Sequence, residues 1–152
     1  MSDNKKKEME LLSDKLFMLY SLTTQHENAE LANSQFNDIT VKDLHLIHTI
    51  SLDKNQTITQ IAKKMSLTKG TLTSSIDKLE NLGYVIRQRS VKDRRVINIE
   101  LTKKGKLLYR LHNREHNEYI KVLTEGLNDQ EKQDIDKALD RLIAYLEKSE
   151  NK

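Results

Sequence analysis

Cysteine is absent from these 152 residues, and so are proline and tryptophan. Without cysteine there is no disulfide framework, no thiolate metal site and no thiol redox switch. Without proline, and with only four glycines, little interrupts a helix, so a mostly helical chain with few tight turns is expected. No apolar run approaches the ~20 residues that a membrane span requires. The polar, basic start from Met1 to Lys7 has no apolar stretch behind it to serve as a signal peptide. One cytoplasmic unit of ordinary domain size with no membrane contact is therefore expected over residues 1–152. A Gly-rich phosphate loop and a Gly-x-Ser-x-Gly elbow are also missing, and a Cys–His pair cannot exist. These absences point away from an enzyme, and no catalytic residue is nominated.

What is present is charge, unevenly spread. The total is +3. Between Arg87 and Arg110, nine basic residues (Arg87, Arg89, Lys92, Arg94, Arg95, Lys103, Lys104, Lys106 and Arg110) face only Asp93 and Glu100, a local charge of +7 that leaves −4 for the rest of the chain. A charge run by itself is usually a solvated face. A basic segment set in an otherwise slightly acidic chain nevertheless suggests a polyanion as partner.

Periodicity and capping signals give six helices and one hairpin. Met9, Leu12, Leu16 and Leu19 share one face of a first helix running from near Lys6 to near Asn33. Thr40 caps a second, with Asp43 in its first turn, which buries Leu44 and Ile47. Thr57-x-x-Gln60 is a capping box opening a short third helix that ends near Met65, with Ile58, Ile61, Ala62 and Met65 on one side. Ser66 and Leu67 form a turn, and Thr68 caps a fourth helix that stops at Gly83, the residue expected at a helix C-terminus. The period then becomes two: Tyr84 and Ile86 alternate with Val85 and Arg87, and Ile97, Ile99 and Leu101 alternate with Asn98 and Glu100, around a basic turn at Ser90 to Arg94. Thr102 caps a fifth helix reaching about Glu125. Asn128-x-x-Glu131 caps a sixth with Ile135, Leu139, Leu142, Ile143 and Leu146 in its stripe. The fold class is mainly α with a small β-hairpin wing. A winged helix-turn-helix part spans 40–101, and the long helices of 6–39 and 102–149 form a helical dimerisation region.

A helix that reads DNA needs one face packed in the domain and another carrying short polar side chains for the major groove. At about 100° per residue, Leu72, Ile76 and Leu79 of the fourth helix share a narrow face. Gly70, Thr71, Thr73, Ser74, Asp77 and Lys78 occupy the opposite arc, and Lys69 sits in the first turn, at the anion-favouring end. Ser and Thr are indifferent helix formers, so Thr71, Thr73, Ser74 and Ser75 in one helix run against propensity. Hydroxyls there can bond phosphates or base edges. The hairpin that follows carries Arg89, and its tip carries Lys92, Arg94 and Arg95, cations suited to a narrow minor groove. Asp93 is expected to orient a neighbouring arginine, since a carboxylate is repelled by phosphate. A two-fold dimer would present two such helices to major grooves about 10 base pairs apart on a palindromic duplex.

The segments Ile61-Ala62-Lys63-Lys64-Met65, Thr71 through Leu79 with Glu80-Asn81-Leu82-Gly83-Tyr84, Asp93-Arg94-Arg95, and Leu101-Thr102-Lys103-Lys104-Gly105 resemble the MarR family of bacterial regulators over nearly the whole chain. That resemblance implies an obligate dimer built from the first, fifth and sixth helices. Ser34-Gln35-Phe36-Asn37-Asp38, Lys42-Asp43-Leu44-His45, Gly70-Thr71-Leu72-Thr73, and Leu107 to His112 with His116 are most similar to its FabT-type repressors of fatty-acid synthesis genes. This closer likeness implies a long-chain acyl group, carried on acyl carrier protein, as corepressor, with no other cofactor required.

His112 and His116 stand i, i+4 on the fifth helix, and His45 and His48 lie on the second. Three readings are open: polar residues bonded near the dimer seam, the lining of an acyl pocket, or a zinc site from His45, His112 and His116 with Asp43 or Glu115. His26 stands alone. A zinc-responsive or small-aromatic-ligand-responsive repressor is thus the alternative within the family. From another class, the alternative is a winged-helix adaptor that turns its basic wing to an acidic carrier protein and does not read DNA.

Overall fold

The computed structural model describes residues 3–149, so Met1 and Ser2 of the polar start lie outside the described residues. The order is α1 (Asp3–Asn33), α2 (Val41–Leu52), β1 (Gln56–Thr57), α3 (Ile58–Lys64), α4 (Lys69–Asn81), β2 (Val85–Arg89), β3 (Ile97–Leu101), α5 (Lys103–Thr124) and α6 (Asp129–Ser149). Among the described residues no helix is long and apolar enough to cross a membrane.

The caps expected from the sequence are formed. Thr40 and Asp43 make a reciprocal capping box on α2, and Thr57 and Gln60 make another on α3. The Thr68 hydroxyl accepts the Thr71 amide at the start of α4, and the Thr102 hydroxyl accepts that of Gly105 at the start of α5. Asn128 and Glu131 cap each other at α6. Each satisfies amides that a helix start otherwise leaves unpaired. The turn between α3 and α4 passes through Ser66 at φ 52°, and the chain leaves α4 through Gly83 at φ 82°, where a side chain would be strained.

The sheet has three strands, not two. β1 pairs antiparallel with β3 at Gln56–Ile99 and Thr57–Asn98, giving the order β1-β3-β2. Two residues are too short to show a period, so this strand could not be read from pattern. The buried Gln56 amide donates to the carbonyls of Thr49, Ile50 and Asp53, tying the end of α2 to the sheet. The hairpin also differs in phase from a simple alternation. Tyr84 and Val85 are both buried whereas Ile86 is exposed, and Asn98 is buried while Ile97 is exposed. Tyr84 precedes the strand proper and enters the core from the corner after Gly83.

The core gathers α2, α3, α4, the sheet and the first turns of α5 around Ile47, Ile61, Leu72, Ile76, Leu79 and Tyr84, all fully buried. The long helices are different. α6 buries no residue, and on α1 the side chains of Leu16, Phe17, Leu19 and Tyr20 are all more than half exposed. Apolar faces of that length on a heavily charged chain are the kind that another surface covers.

Candidate nucleic-acid interface and effector cavity

Helix α4 is held by its three aliphatic residues, Leu72, Ile76 and Leu79, each at 0% exposure. That anchoring turns Lys69, Gly70, Thr71 and Ser74 to the exposed side, with Thr73 and Ser75 half-buried at its edges. The hydroxyls of Thr73, Ser74 and Ser75 donate back to the carbonyls of Lys69, Gly70 and Thr71 at 2.8, 3.3 and 3.2 Å. Each hydroxyl oxygen keeps its capacity to accept, and Ser74 presents it on the exposed side. A Cβ placed on Gly70 would meet nothing within 4 Å, so no contact inside the chain demands glycine there. The missing side chain leaves room for something outside.

The basic segment divides into structural and free cations. Arg87 at the root of the wing pairs with Asp77 and Glu80 on α4, and Lys104 donates to Asp38 and the Leu82 carbonyl while lying 4.1 Å from the Tyr84 ring centre. Because Asp77 stands on the exposed arc of α4, the Arg87 pair fixes the wing to the side of the helix that carries the hydroxyls. Arg89, Lys92, Arg94 and Arg95 are exposed and have no ion pair among the described residues.

Two expectations about this surface are corrected. Lys78 is not a free cation: its ammonium is 2.5 Å from the buried Asp43 carboxylate, which already caps α2. Burial pushes the Asp43 carboxyl up, but Lys78 and the amide and hydroxyl of Thr40 more than offset it and hold it below the usual range. Lys78 thus clamps α4 to α2. Asp93 does not hold an arginine side chain; its Oδ1 accepts the backbone amide of Arg95 at 2.9 Å. Together with Ser90 Oγ, which accepts the amides of Lys92 and Asp93, it shapes the tip's backbone and leaves both guanidinium groups unpaired.

The Leu-Thr-x-x-Gly step explains itself in three dimensions. Thr102 Oγ1 donates toward the carbonyls of Gly83 and Tyr84, and its amide bonds the Tyr84 carbonyl at 3.0 Å. An added Cβ on Gly105 would lie 2.2 Å from the Tyr84 carbonyl oxygen. Only glycine lets α5 start against the end of the reading helix.

Behind this surface, a cavity of about 410 Å³ opens between α1, α2 and α5, walled by Leu31, Phe36, Leu44, Leu108 and Leu111 and edged by Arg114. Of the four histidines expected to line an effector pocket, only His112 reaches this wall, and His45, His48 and His116 do not; His45, His112 and His116 gather instead around a residue that gave no sequence signal. Glu27 of α1 is 4% exposed, and its carboxylate lies 3.2 Å from His45 Nε2, 3.4 Å from His116 Nε2 and 3.8 Å from His112 Nε2. Burial and the neighbouring His116 push the His112 imidazole down to about 4 against the pull of Glu27. Burial likewise lowers His48, which packs edge-on against His112 and Tyr109 and makes no bond to Glu27. Neither carboxylate expected as a partner is there. Asp43 is held by Lys78 and Thr40, and Glu115 faces Glu30, where burial and then the hydrogen bond to Glu30 push it up to about 7. His26 is not alone, for it meets Glu30 at 3.2 Å. Glu27 gives no sequence signal because it lies 18 residues from His45 and 89 from His116.

A capped helix with an outward hydroxyl face, braced against a wing with free arginines, defines a winged helix-turn-helix protein. The sequence model of the MarR family matches residues 39–97. The structure of Streptococcus pneumoniae FabT in complex with DNA is similar over 92% of this chain and 98% of that one, at 34% identity and TM-score 0.82. The Staphylococcus aureus MepR–DNA complex, at 22% identity, 88% and 95% coverage and TM-score 0.68, shares the fold. Among curated proteins, the HTH-type transcriptional repressor YetL of Bacillus subtilis is 35% identical over 88 residues, 58% of this chain and 53% of its own. The HTH-type transcriptional regulator SarZ of Staphylococcus aureus is 35% identical over 71 residues, 47% of this chain and 48% of its own. The chain spans about half the length of the curated relatives it matches. The chain belongs to the MarR family.

Proposed function

We propose that this protein is a homodimeric, cytoplasmic, sequence-specific DNA-binding transcription regulator, not an enzyme. It acts as a repressor of fatty-acid synthesis genes. The observation that carries the DNA-binding reading is the outward hydroxyl arc of α4 joined through Arg87 and Asp77 to a wing whose Arg89, Lys92, Arg94 and Arg95 have no acidic partner among the described residues. Lys69, Gly70, Thr71, Thr73 and Ser74 meet the major groove, and the wing arginines enter the adjoining minor groove. The exposed apolar faces of α1 and α6 pair with those of a second copy, which sets two reading helices about one duplex turn apart.

The likeness to FabT over 98% of that chain supports the fatty-acid regulon. The apolar walls of the cavity suit a long-chain acyl group presented by acyl carrier protein, and the volume falls within the range of ligand pockets. A ligand there lies against α1, α2 and α5 together, so it shifts the spacing of the reading heads if it prefers one spacing over another.

Fluorescence anisotropy of a palindromic duplex from the promoter of a fatty-acid synthesis gene, against a random duplex of equal length, tests this. Tighter binding of the palindrome is expected, with log affinity falling steeply against log salt as several phosphates are neutralised. Equal affinity for both duplexes would favour a protein-binding adaptor. Selective binding that ignores the acylated carrier protein would retain the DNA reading and remove the acyl one.

A further inference from the structure

We propose that Gly70 sets a base preference, its bare Cα forming a slot for the 5-methyl group of a thymine on the floor of the major groove. The slot rests on the DNA reading proposed above for α4.

Nothing inside the chain calls for this glycine. Gly70 lies in the first turn of α4 with an ordinary helical backbone, unlike Gly83 and Gly126, whose φ angles are 82° and 77°. An added Cβ would meet nothing within 4 Å, so packing among the described residues does not require its absence. Alanine suits a helix better than glycine. Gly70 therefore weakens its helix without serving the fold, and what the bare position accommodates lies outside the chain.

Helical phase decides which part of a duplex that is. At about 100° per residue, Gly70 and Ser74 stand about 160° to either side of the Leu72 anchor, whereas Thr71 and Thr73 stand about 100° to either side. A helix inserted in the major groove meets base edges along the line opposite its anchors, and the sugar–phosphate walls along its flanks. Gly70 is exposed and faces the floor, where the base edges are.

The neighbours narrow the base feature. From Lys69 to Lys78, α4 holds no arginine, asparagine or glutamine, the side chains that read guanine and adenine by paired hydrogen bonds. After Lys69 its longer polar groups are engaged, Asp77 by Arg87 and Lys78 by Asp43. The Thr71 hydroxyl lies 2.8 Å from that of Thr68, and the Thr73 hydroxyl donates to the Lys69 carbonyl. A Cα without a side chain presents only C–H, and the thymine methyl is the apolar feature of the major groove. A methyl seated there fills the volume that a Cβ would take.

Uracil in place of thymine removes the methyl, and alanine in place of glycine removes the slot, so the two changes test each other. The probe is a palindromic duplex selected from a random library by the parent dimer. Each thymine of its half-sites is replaced in turn by deoxyuridine, and binding is followed by fluorescence anisotropy at fixed salt. In the parent, replacement at one position is expected to weaken binding about fourfold per half-site, the worth of one buried methyl. Gly70→Ala should bind the thymine duplex at least about tenfold more weakly, as an overfilled contact does. Deoxyuridine at that same position should recover most of the loss. The unfolding midpoint of Gly70→Ala should hold or rise by up to about 3 °C, because nothing inside the chain is displaced. Parent-like affinity of Gly70→Ala for the selected duplex would overturn the slot. So would a loss that deoxyuridine relieves at no position, the mark of a phosphate or sugar contact. A library that yields no preferred duplex would remove the DNA reading, and the slot with it.

Discussion

The ammonium of Lys78 on α4 lies 2.5 Å from a carboxylate oxygen of Asp43 on α2, across 35 residues of sequence. Asp43 simultaneously caps its own helix through Thr40. One carboxylate therefore sets both the start of the supporting helix and the position of the reading helix upon it. Asp43→Ala leaves the Thr40 cap but removes the carboxylate half of the capping box, which costs up to about 1 kcal/mol, and strands a half-exposed lysine, which adds little. Thermal unfolding at fixed dimer concentration should fall by a few degrees. Lys78→Ala should cost less and leave the salt slope of DNA binding unchanged. A slope reduced by about one would instead make Lys78 a phosphate contact.

Arg94 has no ion-pair or hydrogen-bond partner among the described residues, so its removal is expected to cost the fold little. Arg94→Ala is expected to weaken duplex binding while the unfolding midpoint stays within experimental error. Unchanged affinity would refute the assignment of the wing to DNA.

Ser74 donates its proton to the Gly70 carbonyl, which leaves its oxygen as an outward acceptor. An acceptor discriminates among base edges, whereas phosphates offer no donor to it. Ser74→Ala should therefore change the ranking of operator variants more than the salt slope. A uniform loss across all variants would argue against base reading.

Gly105 stands where any Cβ collides with the Tyr84 carbonyl oxygen. Backbone cannot yield as a flexible side chain does, so Gly105→Ala should cost about 1–3 kcal/mol, despite the better helix propensity of alanine. Urea unfolding measures it, and a neutral or stabilising result would refute the close approach of α5 to the end of α4.

Acid should loosen the corner that holds the reading helix. The Tyr84 hydroxyl, 2.5 Å from Asp38, holds the Asp38 carboxyl below its ordinary value of 3.8 against the opposing effect of burial, with help from Lys104, and Asp43 is held low as described. Both bind protons less readily folded than unfolded. Their stabilisation is thus present above the ordinary aspartate value and lost as pH falls through the lower folded values. Asp38→Asn should remove part of this loss, so its stability should depend less on pH below about 4 than the parent's. Parallel acid limbs for parent and variant would exclude Asp38 from the effect.

Most helices were legible because their signals are local. Thr40, Thr57, Thr68, Thr102 and Asn128 sit where caps belong, and each lies within one turn of the amide it satisfies. The two-residue strand β1 was not legible, since Gln56 and Thr57 become a strand only by pairing with Ile99 and Asn98. The reading surface was legible as a set, because Leu72, Ile76 and Leu79 fix the phase of α4. Which cations are free was not. Arg87 and Lys78 look like any other basic residue until Asp77, Glu80 and Asp43 are brought beside them.

The sequence by itself determined where helices begin, which face of α4 turns inward, and that positive charge concentrates around the wing. These follow from bonds and periodicities spanning a few residues. Only the tertiary structure decided that Glu27 gathers three histidines, that Gly105 must be glycine, and that Asp93 shapes a backbone instead of holding an arginine. Those relationships depend on distances between segments far apart in the chain, and packing of the whole core is what sets them.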